Sequence, residues 1–169
     1  SVQPNEVKLG TIGGNTILGS LPLDFGARTS ICDLLYRQAE LNYSGLITQI
    51  TLYNNFPQAL DDQPVRFWMD ITTAWTLSDW YPYDELTEVF NGSEDFPSGA
   101  SMVTITLQQP FYLNPGCNLV LRSYRAWGLD YGDSYTFKGF EVPQIRGVGE
   151  SYQHMVDPSN PEGYGHILA

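Results

Sequence analysis

The stretch SGLITQITLYNNF, residues 44–56, is followed by QPVRFWMDITTAW at 63–75, WYPYDELTEVFNG at 80–92 and SMVTITLQQPFYLNPGCNLVLRSYRAW at 101–127. Each piece is short and rich in Val, Ile, Thr, Tyr and Phe, and each is separated from the next by Pro, Gly, Asn or Asp. Alternation with period two between such breaks is the pattern of half-buried strands. In Gly45 to Tyr53 the alternation places Leu46, Thr48, Ile50 and Leu52 on a buried face and Ile47, Gln49, Thr51 and Tyr53 on the other. Val65, Phe67, Met69 and Ile71 make the next inward face, leaving Arg66, Trp68 and Asp70 pointing out or toward a covering loop. Val103, Ile105 and Leu107 repeat the pattern with Thr104 and Thr106 opposite, and Pro110 is expected to stop that strand. Asn114-Pro115-Gly116 reads as a type II turn, because Pro fits its second position and Gly the positive φ of its third. It leads into Cys117 to Tyr124, the continuous apolar run of a central strand.

Working outward, Arg28 to Tyr36 reads as a strand, with RQAEL continuing it or forming one helical turn. Val7 to Thr11 alternates as a short strand behind a polar arm, residues 1–6, and Ile17-Leu18 is a further small apolar pair. Leu86, Val89 and Phe90 fall in a loop or single helical turn that Asn91-Gly92 ends. Tyr135 to Phe140, Ser151 to Val156 and His166 to Leu168 supply the last strands. Many short strands and no long helical period define an all-β chain, an antiparallel β-sandwich of jelly-roll topology occupying 1–169 as one domain.

Composition narrows the function. Charged residues are only 16% of the chain, so its polar surface must come from Thr, Ser, Asn, Gln, Tyr and Gly, which suits sheet faces. The formal charge of -11 repels phosphate backbones and anionic lipid, so neither nucleic acid nor membrane insertion is expected; nor is there a long apolar run. Ser1 carries neither an initiator Met nor a signal peptide, which reads as a processed mature protein or an excised module. Cys32 and Cys117 lie in or beside strands, and in an oxidising compartment they either bridge, worth about 4 to 5 kcal/mol for a loop of that length, or remain buried thiols.

The order of these segments resembles a known module. Gly45-x-Ile47-x-x-Ile50, then Phe67-Trp68-Met69 with Thr72-Thr73, then Leu86-Thr87-x-Val89-Phe90-Asn91-Gly92 is similar to a jelly-roll repeat of large secreted bacterial proteins of the type IX secretion route. Ile105-Thr106-Leu107-x-x-Pro110-Phe111, Gly116-x-Asn118-Leu119-Val120, Gly10-Thr11 and Leu21-Pro22 extend the resemblance over nearly the whole chain, and the fold is similar to that of the cleaved-adhesin domains of gingipains. The resemblance implies an extracellular or cell-surface, non-catalytic module with a structural or adhesive role, its partners being neighbouring modules or copies of itself. The two cysteines and the abundance of aromatics depart from that pattern.

The residues offer few catalytic groups. His154 and His166 are the only histidines, and GxSxG, HExxH and GxxxxGK are absent, so no enzyme and no required cofactor are expected. Carbohydrate binding is the alternative, as in a module attached to a secreted polysaccharide-degrading enzyme: Trp and Tyr faces stack on sugar rings while Asp and Arg bond the hydroxyls. Its candidates are Trp68 with Arg66 and Asp70, the group Trp75, Trp80, Tyr81 and Tyr83, and Trp127 with Tyr131. Asp130, Asp133, Asp61, Asp62 and Asp157 stand in loop contexts where hard oxygen ligands could pin a structural calcium ion. Assembly is the third possibility, with Val7, Leu9 and Thr11 adding as a strand to a neighbour's open sheet edge.

Overall fold

The computed structural model describes residues 16–140, 146–161 and 167–168, which form an all-β antiparallel sandwich of two sheets. The strands are β1 (Thr16–Gly19), β2 (Thr29–Tyr36), β3 (Gly45–Phe56), β4 (Leu60–Thr72), β5 (Thr87–Phe96), β6 (Gly99–Leu113), β7 (Asn118–Arg125), β8 (Thr136–Phe140), β9 (Gly147–Tyr152) and β10 (Ile167–Leu168). One sheet has the order β1-β8-β3-β6, and the other β10-β9-β2-β7-β4-β5. Early strands pair with late ones, β2 with β9, β3 with β8 and β4 with β7, which is the nested pairing of a rolled-up jelly roll. β2 also pairs with β7 and β3 with β6, stitching the nested pairs into sheets. The start of β2 and the end of β9 thus lie at the same end as the central bend, where Pro97-Ser98 carries β5 into β6 across the gap between the sheets and Phe25, just before β2, meets Phe96. The strand expected over Val7 to Thr11, and the assembly role given to it, lie outside the described residues, as does His166.

The interior is built as the alternation requires. Val65, Phe67 and Met69 from β4 meet Val103, Ile105 and Leu107 from β6, all buried in one cluster. At the end where β3 crosses into β4, Phe25, Phe56, Phe96 and Phe137 pack with ring centroids between 5.1 and 6.1 Å apart. β7 is buried along its whole length, as a continuous apolar run implies.

Four local readings change. β3 carries an irregularity between Ile47 and Gln49, so the alternation slips by one: Ile47 packs on the core and Leu46 is exposed. Pro110 does not stop β6. Thr106 pairs with Gln49 and Phe111 with Ile47, so Gln108, Gln109 and Pro110 form a bulge and the ladder resumes beyond it. That bulge has a use: the Gln108 amide accepts from the Asn91 N–H at 2.9 Å and donates to the Asn91 carbonyl at 3.0 Å, closing the free edge of β5 with a side chain. Thr87 to Phe96 is accordingly a strand, and Asn91-Gly92 sits inside it rather than ending a loop. The last strand but one begins earlier than expected, at Gly147.

The disulfide is also excluded. Cys32 lies opposite Ser123 on β7, while Cys117 precedes the first residue of that strand, roughly 20 Å away at about 3.3 Å per residue. Both cysteines are free thiols. Burial, and secondarily the neighbouring Asp33 carboxylate, pushes the Cys32 thiol far above its usual range.

Candidate functional site: a loop layer and a neutral sheet face

β7 cannot be buried on both sides by a two-layer sandwich, and a third layer covers its outer face. The long β4–β5 connection and the segment after β9 fold over the six-stranded sheet, enclosing a second apolar cluster of Ile31, Leu35, Trp68, Leu77, Trp80, Val120, Tyr124, Val148, Tyr152 and Val156. At its centre Arg122 of β7 stands directly across the ladder from Asp33 of β2. The pair is bidentate, Nε to Oδ1 at 2.6 Å and Nη2 to Oδ2 at 2.7 Å, with both side chains 0% exposed. Arg122 also donates to the Tyr81 carbonyl at 2.7 Å and the Pro158 carbonyl at 3.0 Å, while Asp33 accepts the Tyr81 N–H at 2.8 Å. One ion pair therefore fastens both covering segments to the sheet.

That layer decides what the predicted aromatics do. Trp68 is 1% exposed, sealed under the Arg66 guanidinium at 4.6 Å, the edge of Tyr83 and the ring of Tyr124. Arg66 is itself held by Glu88. Trp80 is buried over Arg122. A sugar needs an open ring face, and neither indole has one. Trp127 lies under Arg28, whose guanidinium carbon is 3.7 Å from the ring centroid. Tyr131 packs on Phe25 and Tyr135 near the buried Arg125, whose guanidinium donates to the Ala27 and Leu129 carbonyls.

Trp75 is 65% exposed, with the Arg37 guanidinium carbon 4.7 Å from its ring centroid on one face, and Tyr83 is partly open. The Trp75 backbone is nevertheless fixed, because Arg37 donates to its carbonyl at 2.7 Å and Asn118 donates to the adjacent Ala74 carbonyl at 2.7 Å. Beside it an open cleft of about 350 Å³ is lined by Asp70, Ile71, Thr72, Thr73, Tyr81, Glu85 and Cys117. Tyr81 donates its hydroxyl to Asp70 Oδ2 at 2.5 Å. Burial first, then Asp70 and Glu85, hold that hydroxyl well above the usual tyrosine range, so it remains a donor. A ligand group bonded to an oxygen of Asp70 or Glu85 would bring an O–H or N–H donor.

The acidic candidates are used locally. Asp130 accepts from Gly132 N–H and from Gln153, Asp157 accepts twice from Ser159, and the Asp62 N–H donates to Asp95. The Asp61 carbonyl accepts from Gln63, and Asp133 lies against Gly26. Among the described residues no group of three His, Cys, Asp or Glu side chains converges.

A further surface belongs to the other sheet. The outward residues of β3 and β6 pair across the ladder as Leu46 with Tyr112, Gln49 with Thr106, Thr51 with Thr104 and Tyr53 with Met102. The Thr51 and Thr104 hydroxyls are 3.1 Å apart and Gln49 donates to Thr106 at 3.3 Å. None of these eight side chains is charged, in a chain of net charge -11. Alternation alone places Gln49, Thr51, Tyr53, Thr104 and Thr106 outward, on a face that holds no tryptophan. The available signal was two neighbouring strands whose solvent positions all lack charge.

Comparison with known proteins gives no relative: no family model, curated protein or solved structure matches the chain.

Proposed function

We propose that this chain is an exported, non-catalytic β-sandwich module with a structural or adhesive role at a bacterial surface, working beside other modules or copies of itself. The observation that carries this reading is the outer face along β3 and β6, because its paired outward side chains are uncharged and display hydroxyl, amide and apolar groups suited to contact rather than to bond making. The strand and turn order that resembles secreted jelly-roll repeats supports export. The ion-paired loop layer supports rigidity, since it fixes the six-stranded sheet from outside while the phenylalanine cluster fixes it from within. The test is sedimentation of the purified chain with bacterial envelope material. Retention, with the recovered envelope polymers unchanged in mass, is expected; release of shortened or modified polymers would replace the reading with an enzymatic one.

A second reading, a carbohydrate-binding module that accompanies a secreted polysaccharide-degrading enzyme, is favoured by the exposed and backbone-anchored Trp75 beside the Asp70–Tyr81–Glu85 cleft. On that reading Trp75→Ala abolishes glycan retention without moving the melting temperature. Trp68→Ala instead lowers the melting temperature, since removing a buried indole costs about 3–5 kcal/mol. Equal glycan retention by wild type and Trp75→Ala would remove the second reading.

A further inference from the structure

We propose that the outer face of the four-stranded sheet, along β3 and β6, binds an extended neutral polysaccharide chain. This rests on the adhesive reading and names its partner and its site. The first argument is charge. Nineteen Asp and Glu against eight Lys and Arg make the molecule an anion, yet the paired outward positions from Leu46 to Tyr53 and from Met102 to Tyr112 carry no charge. Binding a cationic polymer would call for carboxylates there, and an anionic one for Lys or Arg. A second copy is also disfavoured as occupant, because it would bring another charge of -11 close to the first, which the exposed Lys138 of neighbouring β8 offsets only in small part.

The second argument is the kind of polar group displayed. Thr51, Thr104 and Thr106 hydroxyls and the Gln49 amide both donate and accept, which is the property a polyol requires of its partner. Their present bonds are to one another at 3.1 and 3.3 Å, so hydroxyls of a ligand can join an existing ladder without stripping a charged group of water. The third argument is the apolar ends. Tyr112 is exposed beside Leu46 at one end, and Met102 is exposed beside Tyr53 at the other. Phenol rings offer stacking area for the C–H faces of sugar rings, and the run from Leu46 to Tyr53 extends roughly 20 Å at about 3.3 Å per residue. A surface of that length fits a chain lying along the strands, not a single sugar.

The experiment is affinity electrophoresis of the whole chain through gels containing xylan, mannan or mixed-linkage β-glucan, with alginate as the anionic control. Retardation by at least one neutral polymer and none by alginate is expected. Tyr53→Ala with Tyr112→Ala, and separately Thr51→Glu and Thr51→Lys, should each weaken binding at least tenfold while the melting temperature stays within a few degrees. The two charge signs guard against a simple field effect. Binding retained by the face variants but lost in Trp75→Ala would overturn the proposal in favour of the cleft, as would preference for alginate. Failure of all three neutral polymers, with concentration-dependent self-association that Thr51→Glu abolishes, would also overturn it while leaving the adhesive reading standing. Failure of both glycan binding and envelope retention would remove the two together.

Discussion

Asp33→Ala should lower the melting temperature by roughly 6–20 °C and release the loop layer before the sandwich itself. The magnitude follows from the environment of the ion pair. Asp33 and Arg122 are both fully buried, and removing the carboxylate leaves a guanidinium in an apolar layer with only the carbonyls of Tyr81 and Pro158 to hold. Breaking such a pair by deleting one partner costs about 3–5 kcal/mol, and a chain of this length loses about 2–4 °C for each kcal/mol. The same carboxylate accepts the Tyr81 N–H, so its loss also detaches the β4–β5 connection that covers Trp68 and Trp80. Limited proteolysis should therefore cut within residues 73–86 at temperatures where the far-UV spectrum of the sheets is still intact. The paired replacement Asp33→Leu with Arg122→Met should recover part of the lost stability but not the anchorage of the loop layer, since it removes the buried charge yet leaves the Tyr81 N–H and the Tyr81 and Pro158 carbonyls without partners. A single Asp33→Ala variant that melts within 2 °C of the wild type would show that the carbonyls alone satisfy Arg122.

The ion pair also shows how far the sequence could be read. Strands and their inward faces were legible because Val65, Phe67, Met69 and Val103, Ile105, Leu107 alternate without interruption, and periodicity reports directly on a surface buried on one side. The slip at Leu46 was not legible, since a bulge changes which residues face inward without changing composition, and it depends on the Gln108–Pro110 insertion in the partner strand. β5 was hidden for a related reason: Asn91-Gly92 carries a turn signal, but here its backbone is engaged by the Gln108 amide. For the surface, aromatic content alone could not separate a binding row from a second core. Asp33 and Arg122 were the clue, because charges inside the apolar runs RTSICDLLY and NLVLRSYR must be paired when the strands are buried on both faces. Such pairing calls for a third layer, and the β4–β5 connection, which forms it together with the segment after β9, holds Trp75, Trp80, Tyr81 and Tyr83. With most of these committed to covering the sheet, the uncharged outward residues of β3 and β6 form a separate exposed surface.

Phe56→Ala should destabilise the chain by about 3–5 kcal/mol without altering polysaccharide retention of whatever fraction remains folded. Phe56 is the last residue of β3, where the chain leaves the four-stranded sheet for β4 in the other, so its ring closes the end of the sandwich. It is 1% exposed and meets Phe25, Phe96, Tyr135 and Phe137 at centroid distances of 5.1, 5.5, 5.1 and 5.3 Å. Three of these contacts are edge-on, the arrangement in which the positive rim of one ring meets the negative face of another, so the loss exceeds that of apolar area alone. Because four elements converge there, neighbours cannot all collapse into the vacated space, and the cavity term stays large. Phe56→Leu keeps most of the volume and should cost about 1–2 kcal/mol, measured as the shift in urea midpoint at constant slope. Phe56→Ala combined with Phe96→Ala should cost less than the two singly, as both empty the same cavity. Additive losses would mean instead that the rings stabilise separate parts of the fold, and that the two inter-sheet crossings at this end unfold independently.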